Sequence, residues 1–500
     1  MTGLFGTLNT ATSGIRAQQT ALQTIGHNVA NANTEGYTRQ RVTMQTGFPQ
    51  SVTGVGQVGT GVSIGNIDRV SDHFVTAQLR DAHSTTKRHE SLSDTIGQLE
   101  AIFNEPSDTG LGNQISEVFN AWTYLASSPE QASARTMLVQ TTETFTDTVH
   151  HMSHSMDALH NDTLNELDNA SQNTNSTLEQ LDVLNHQIWQ ASVRGFTPND
   201  LLDQQDRLVS DIAGNVDISV ERDEFNRVSI EAGGQTLLNH ESRQELAVIT
   251  ERNDNGEFFL ANGDQVNVPE GSEITLGSLV VTNQDNDNVT LINARTGSIK
   301  GSQDALAVID EAQGELDGFA RDFAKAVNLI HSNDGEGDPF FTIDDAHASS
   351  TIQVTEALRT NPENVVSGIS LDNTYSGDGS RAQAIASLQN QSLVLDSDSW
   401  TLSDDGSMTI EGEGPGATLF NRYNSMVTGM GIVKQQEDNM LDTQNALMDL
   451  LTQRRESISG VDINEEVVDM IKFSSAFQAN SRVLQTISEM LDTLINRTGV

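Results

Sequence analysis

The side chains best placed for metal chemistry are three histidines in the segment HHMSH. His150 and His154 are four residues apart, a spacing that puts two imidazoles on one face of a helix, where they could bind a zinc ion. Zinc proteases with this spacing also carry a glutamate directly after the first histidine, and here His151 occupies that place. We therefore interpret the three histidines as a solvated helix face and predict no metal site.

A second candidate is an acidic, glycine-rich loop formed by Asn333, Asp334, Glu336 and Asp338. These side chains offer the oxygen ligands that calcium prefers, but the spacing lacks the glutamate in the twelfth position of a calcium loop. The sequence contains no GxSxG segment and no cysteine, which excludes thiol nucleophiles, disulfides and cysteine-bound zinc. A secreted hydrolase would need a catalytic constellation that is not evident here. We predict neither an enzyme nor a cofactor.

The net charge of the chain limits the kinds of partner that it can bind. The chain has 27 Lys plus Arg against 70 Asp plus Glu, a net charge of −43, which argues against binding to nucleic acid or to an anionic membrane. Salt adaptation and an export-friendly surface remain equally open explanations. The first positive charge is Arg16, and no apolar run is long enough for a signal peptide or a membrane span. We expect the chain to stay in the cytoplasm or to leave it without a cleaved signal.

The elements that dominate both ends of the chain are two apolar seams with alternating steps of four and three, the spacing of helices that pair with other helices. The N-terminal seam is Leu4, Leu8, Ala11, Ile15, Gln18, Leu22, Ile25 and Val29. The C-terminal seam is Met470, Phe473, Phe477, Asn480, Leu484, Ile487, Leu491 and Leu494. The first seam would form a rod on the order of 40 Å long at roughly 1.5 Å per residue, too narrow to bury its own stripe.

The two seams are predicted to pair with each other and then with neighbouring molecules. Ordinary amphipathic helices of a compact core would show the same pattern. The polar middle of the chain favours pairing, because it does not look able to bury both helices along their whole length. In a free monomer we expect both ends to be mobile and the apolar seam positions to form an assembly interface.

A turn motif follows the first seam. Asn31 and Asn33 tolerate left-handed geometry, Thr34 can bond back to the backbone, and Gly36 allows a positive φ. Tyr37 lies where the chain would reverse. We predict a bend between the terminal rod and the next layer.

The order of periodicities predicts an elongated, multidomain α+β protein with a β-rich outer domain inserted into a helical-bundle layer. Ser171 and Thr174 lie at seam positions and indicate a long, surface-facing helix there. Asn255-Gly256 indicates a hairpin. The predicted domains are a coiled-coil segment with the turn at 1–40, helices at 41–214 after short strands at 42–70, the β insert at 215–295, returning helices at 296–455 with a mixed segment at 340–415, and a coiled-coil segment at 456–500.

Several segments carry a family resemblance. ANANTEGYTRQRV at 30–42 resembles the signature of flagellar rod, hook and hook-associated proteins. TGSIKG at 296–301, LDGFARDFAKAVNLIH at 316–331 and the long block that begins RRESISGVDINEEVV at 454–496 are similar to the hook-associated members of that family. The resemblance covers about half of the chain, and the insert at 215–295 lies outside it.

This resemblance implies a structural subunit that joins hook to filament in the bacterial flagellum. It implies export in an unfolded state by the flagellar type III apparatus, self-association into a tubular ring, and contact with the hook protein and with a second hook-associated junction protein. It also implies a cytoplasmic export chaperone at the C-terminal helix. The alternative is an acidic extracellular binding or adhesive protein that acts through the β insert.

Overall fold

The computed structural model shows the two ends of the chain side by side. The described residues are 2–52, 56–253, 255–268, 274–282, 289–372, 377–395, 400–403, 407–412 and 416–497. Helices precede and follow a β-rich segment, and the first helix packs along the last one. The predicted fold class is therefore confirmed.

Helices make up most of the described chain. They are α1 (Thr2–Ala30), α2 (His73–Phe103), α3 (Leu111–Ser127), α4 (Ala132–Ser192), α5 (Asn199–Asn215), α6 (Ser298–His331), α7 (Ala348–Thr351), α8 (Glu356–Thr360), α9 (Ser380–Ser387), α10 (Leu419–Ser459) and α11 (Ile463–Asp492). A 3₁₀ turn spans Pro362–Asn364, and a π-helical turn at Thr493–Arg497 follows α11. At roughly 1.5 Å per residue, α4 alone is about 90 Å long.

Every described strand pair is antiparallel. The strands are β1 (Gln40–Thr46), β2 (Gln50–Val52), β3 (Gly56–Val58), β4 (Val62–Arg69), β5 (Ser219–Arg222), β6 (Val228–Ala232), β7 (Gln235–Leu238), β8 (Glu245–Arg252), β9 (Phe258–Leu260), β10 (Gln265–Val266), β11 (Leu279–Thr282), β12 (Val289–Leu291), β13 (Phe341–Thr342), β14 (Gln353–Val354), β15 (Thr401–Leu402) and β16 (Ile410–Glu411). Two-stranded sheets are β1–β4, β2–β3, β13–β14 and β15–β16, and larger sheets have the orders β5-β6-β7 and β10-β9-β8-β11-β12.

An aromatic core joins the outgoing and returning halves of the helical layer. Phe119 of α3 and Phe145 of α4 pack on Phe323 of α6, with ring centroids 5.8 Å and 4.8 Å apart. Phe319 of α6 contacts Tyr423 of α10 at 5.8 Å. All five side chains are fully buried, so the layer closes only when residues from both halves of the chain meet.

The β insert is fixed to α4 through asparagines that pair with strand backbone. The Asn185 amide donates to the carbonyl of Val228 at 2.9 Å and accepts the N–H of Val228 at 3.0 Å. Asn175 makes the same two bonds to Leu246, both at 2.8 Å. The predicted hairpin is confirmed, since Gly256 adopts φ +82° between β8 and β9.

One prediction about α4 is wrong. Ser171 and Thr174 are buried rather than surface-facing. The Thr174 hydroxyl donates to the carbonyl of Ala170 at 2.7 Å and accepts from the amide of Asn215 at 3.1 Å. Because these bonds satisfy the hydroxyl internally, a threonine can occupy a buried helix position without an unpaired polar group.

The N-terminal part of the chain also forms a β arm, which we define as residues 40–69. β1 and β4 form its inner half beside α1, and β2 and β3 form its outer half. In the chain the arm lies between α1 and α2, and its inner end meets α5. It therefore belongs to the connection between the terminal helices and the helical layer.

Candidate assembly interface

Helices α1 and α11 form what we call the terminal pair, and small residues bring them close. The buried face of α1 contains Ala11, Gly14, Ala17 and Ala21. A Cβ added to Gly14 would lie 2.9 Å from the side-chain nitrogen of Asn480. The two backbones approach closely because no large side chain separates them.

The predicted N-terminal seam lies at the edge of this buried face. Ile25 is buried, as is Ala11. The half-buried members are Leu4, Leu8, Ile15, Gln18, Leu22 and Val29. The face is rotated relative to the predicted seam because the β arm also packs on α1, where the amide of Val62 donates to the Ser13 hydroxyl at 3.2 Å.

Some residues of the predicted C-terminal seam are buried or half-buried, and others are exposed. Ile487 is buried, whereas Met470 and Leu494 are exposed. The half-buried members are Phe473, Phe477, Asn480, Leu484 and Leu491. The central part of the seam thus faces α1, and its two ends lie open.

A second apolar surface on α11 was not identified from the sequence. We call it the outer stripe, and its members are Ile463, Val467, Val468, Ile471, Val483 and Met490, all exposed. Ile463 continues the seam one heptad before Met470, whereas Val467 and Ile471 lie on one side of the seam and Val483 and Met490 on the other, a signal readable from the sequence. α11 therefore carries exposed apolar side chains that α1 does not cover.

A buried amide holds the two ends of the chain together. The Asn28 amide donates to the carbonyl of Gln40 at 2.9 Å and to the carboxylate of Glu466 at 3.1 Å. Its oxygen accepts from the hydroxyl of Tyr37 at 2.8 Å and from the N–H of Gln40 at 3.0 Å. All four hydrogen-bonding positions of this side chain are used, so its burial leaves no polar atom unpaired.

The predicted turn motif forms the loop that carries Tyr37 to this amide. The Asn31 side chain donates to a backbone carbonyl one turn earlier in α1 at 3.0 Å, and the N–H of Thr34 donates to the carbonyl of Asn31 at 2.9 Å. The N–H of Tyr37 donates to the carbonyl of Thr34 at 3.1 Å. Gly36 has φ +74°, and Asn33 lies exposed on the turn.

Burial raises the pKa of the Tyr37 phenol, and the carboxylates of Asp200, Asp203 and Glu466 raise it further. A deprotonated phenol would add a charge beside three carboxylates, so the hydroxyl stays a hydrogen-bond donor to Asn28. This explains why the turn ends in tyrosine, whose ring fills space while its hydroxyl reaches a polar partner.

Arg39 ties the turn to the start of α11. Its guanidinium donates to Glu466 at 2.7 Å and to Glu465 at 2.9 Å. The backbone N–H of Arg39 donates to the carbonyl of Ser459 at 2.8 Å. Burial opposes the charge on Arg39, but the hydrogen bonds and charges of the two glutamates outweigh it and raise the pKa of the guanidinium. The Glu466 side chain is only 2% exposed, against 59% for Glu465.

Carboxylates of α5 hold the other side of the turn. The N–H and hydroxyl of Thr38 both donate to Asp203, the former at 3.1 Å. The Gln40 side chain donates to Asp200 at 2.8 Å. Arg69 bridges Asp203 at 2.7 Å and Asp206 at 2.8 Å. The spacing of the three aspartates in DLLDQQD puts them on one face of α5, a signal that sequence reasoning missed.

We call this network the polar joint: Asn28, Tyr37, Thr38, Arg39, Gln40, Asp200, Asp203 and Glu466. It connects α1 and the turn that follows it with α5 and α11, two helices far from them in the sequence. Such a network fixes geometry because its buried members, Asn28, Gln40, Asp203 and Glu466, would each be an unpaired polar group without their partners. The joint thereby fixes how the terminal pair leaves the helical layer.

The candidates for metal binding lie on α4 and at the end of α6. His150, His151 and His154 lie on α4, and no three histidine, aspartate or glutamate side chains in the described ranges are grouped so as to hold a metal ion. The acidic loop ends α6, where the N–H of Asp334 donates to the carbonyl of Leu329 at 2.9 Å. No helix among the described residues has the length and apolar character needed to cross a membrane.

We predict that Glu466→Ala destabilises the start of α11 on the order of 3 kcal/mol, since removing one partner leaves Asn28 and Arg39 without a buried acceptor. The matched variant Glu465→Ala should cost about 0–1 kcal/mol, because that pair is exposed. Hydrogen exchange of amides in the first two turns of α11 measures both. Equal losses in the two variants would contradict the assignment of Glu466 to the polar joint.

We predict that Gly36→Val costs about 1–2 kcal/mol, because a β-branched residue is forced into a left-handed conformation. The added Cβ would also lie 2.7 Å from the Arg207 side chain, which must move. Gly314→Val in α6 is the control, since that glycine is helical with open space around it. Protection of amides 34–40 from hydrogen exchange should fall only in the first variant, and unchanged protection there would show that the turn tolerates valine.

Three family models match separate parts of the chain. Residues 96–341 match the flagellar hook-associated protein FlgK helical domain. Residues 452–497 match the flagellar basal body rod FlgEFG protein C-terminal model, and residues 8–38 match the flagella basal body rod protein model. The last two ranges contain most of the terminal pair.

Full-length relatives agree with these models. Flagellar hook-associated protein 1 of Bacillus subtilis (strain 168) is 27% identical over 100% of this chain and 99% of its own length. The protein of that name from Escherichia coli (strain K12) is 26% identical over 98% of this chain and 99% of its own length. The solved structure of the flagellar hook junction protein FlgK from Burkholderia pseudomallei shares the fold, with a TM-score of 0.60, 14% identity, and coverage of 76% of this chain and 100% of that one. The chain therefore belongs to the flagellar rod, hook and hook-associated protein family and, within it, to the family of hook-associated protein FlgK.

Proposed function

We propose that the chain is a structural subunit of the bacterial flagellum that joins hook to filament. The observation that carries the proposal is the outer stripe of α11, a set of apolar side chains that stay exposed although α1 already packs along this helix. An exposed apolar strip on a long helix is typical of an assembly interface. The full-length relatives are named flagellar hook-associated protein 1, which indicates that the assembly is the flagellum.

In the proposed assembly, copies of the chain form a tubular ring with their terminal pairs side by side. The outer stripe of one copy, with the exposed ends of the C-terminal seam at Met470 and Leu494, contacts a neighbouring terminal pair. The polar joint holds every pair at the same angle to its helical layer. Uniform geometry matters here, because a closed ring requires the same contact between all successive subunits.

The partners follow from the family resemblance. The ring is bounded by the hook protein on one side and by a second hook-associated junction protein on the other. The chain reaches this place through the flagellar type III apparatus, unfolded and without a cleaved signal, and it functions outside the cell. The lack of cysteine fits this route, since the fold is held by the aromatic core and the polar joint without covalent links.

This function requires no catalysis, no cofactor, no nucleic acid and no membrane. The relatives that match over their full length carry the name of a structural flagellar protein. The adhesive alternative, in which the β insert would be the working part, has no support from these relatives. The insert is instead a domain held to α4 by Asn175 and Asn185.

A cytoplasmic export chaperone is proposed for the C-terminal helix before assembly. The seam residues Phe473, Phe477 and Leu484 supply anchors at three- and four-residue spacing for a helical groove. In the folded chain this face meets α1. A chaperone on the same face would keep α11 apart from α1 and prevent self-association until export.

We expect a strain that lacks this chain to be non-motile, with bare hooks and with filament protein lost to the medium. Negative-stain microscopy of the cells and analysis of the culture medium measure both features. The control is the same strain that expresses the intact chain from a plasmid, which should restore filaments. Filaments that remain attached to hooks in the deletion strain would contradict the proposed junction.

We expect Leu484→Asp to lower recovery of a small helical export chaperone in pull-downs with the full chain by about tenfold or more, because a charge would be buried in the bound face. Thr486→Asp is the control, since it places the same charge on an exposed position of the same helix. Equal recovery by both variants would contradict the proposed face. Failure of the intact chain to recover any candidate chaperone would contradict the chaperone itself.

A further inference from the structure

The β arm has an anchored inner half. The Asn199 side chain donates to the carbonyl of Ile67 at 2.8 Å, and Arg69 is held by Asp203 of the polar joint at 2.7 Å. The N–H of Val62 donates to the Ser13 hydroxyl of α1 at 3.2 Å. These bonds fix the arm to both the terminal pair and α5, so its direction is set by the rest of the molecule.

The outer half of the arm lacks such support. Within the described residues, β2 and β3 are hydrogen-bonded to each other alone, so both edges of this two-stranded sheet are open. An isolated hairpin of this size is marginally stable in water, and open strand edges are sites of pairing with another chain. Phe48, between β1 and β2, is 95% exposed, and Val58 of β3 is also exposed.

The arm also differs from the rest of the chain in charge. Residues 42–67 contain no Asp, Glu, Lys or Arg, although 19% of the whole chain is charged and its net charge is −43. Two copies of so acidic a chain repel each other wherever carboxylates face carboxylates. An uncharged surface is where two copies can come into contact without this repulsion. A positively charged partner would instead bind to an acidic surface of the chain.

We propose that the outer half of the β arm docks on a second copy of this chain and that Phe48 is buried in that contact. The anchored inner half presents the hairpin in a fixed direction, and the neighbouring copy supplies the support that β2 and β3 lack. The inference rests on the proposed function, because it assumes that copies of the chain assemble side by side. It adds a contact separate from the helical interface of α1 and α11.

The exposure of Phe48 makes the contact testable by photo-crosslinking. The full chain, with p-benzoylphenylalanine in place of Phe48, is expressed in the deletion strain, and isolated hook–filament structures are irradiated. We expect a product of twice the chain mass whose peptides come from this chain alone. The same label at Val183, an exposed apolar residue of α4, is the control and should give much less of it.

A crosslink from position 48 to a different protein only, no crosslink, or equal yields from both positions would overturn the proposal. If the deletion strain keeps its filaments, the proposed function fails by itself. If that strain loses its filaments but position 48 does not reach a second copy, the docking inference alone fails.

A second measurement uses substitutions at the same residue. Phe48→Glu should lower the number of filament-bearing hooks at least about tenfold, since it places a charge in a contact between like-charged chains. Phe48→Leu should retain them, because it keeps an apolar side chain. Thermal unfolding of both purified variants should match that of the unaltered chain, since the residue is exposed in it. Normal assembly by Phe48→Glu would overturn the proposal.

Discussion

The hydrogen bonds of Asn28 are the interaction on which the arrangement of the molecule depends. This one buried amide bonds to the chain ahead of it through Gln40 and to the far end of the chain through Glu466. A shift of α1 along α11 by one turn would break the bond to Glu466 and leave two buried polar groups unpaired. A single buried asparagine fixes register in coiled coils by the same reasoning. The apolar contacts of the terminal pair, which involve small and interchangeable residues, could not do so alone.

The polar joint explains how a long helical pair can be rigidly attached to a separate layer. Apolar packing between α1 and α5 would need a broad interface, whereas the turn makes the connection with a few directional bonds. Carboxylates of Asp200 and Asp203 hold one side and Glu466 holds the other. The charges within the joint are largely paired, so this acidic chain concentrates several of its arginines at the point where its parts meet.

Charge distribution and assembly are linked in the same molecule. A net charge of −43 opposes association between free copies, which fits the proposed export of the chain before assembly. The surfaces without charge are then the places where copies can touch. The outer stripe of α11 and the outer half of the β arm are both apolar or uncharged and exposed.

Sequence alone determined the fold class and the family. Helical periodicity and the long C-terminal block are local patterns, which can be recognised without knowing any tertiary contact. It also indicated that the turn at Gly36 and Tyr37 matters, since glycine and asparagine report backbone geometry directly. The tertiary structure decided which face of each helix is covered. The buried side of α1 lies beside the predicted seam because the β arm packs on that helix too, and Thr174 can be buried because Ala170 and Asn215 satisfy its hydroxyl. Glu466 could not be singled out beforehand, since a surface carboxylate and a buried one look the same in the sequence until distant segments meet around it.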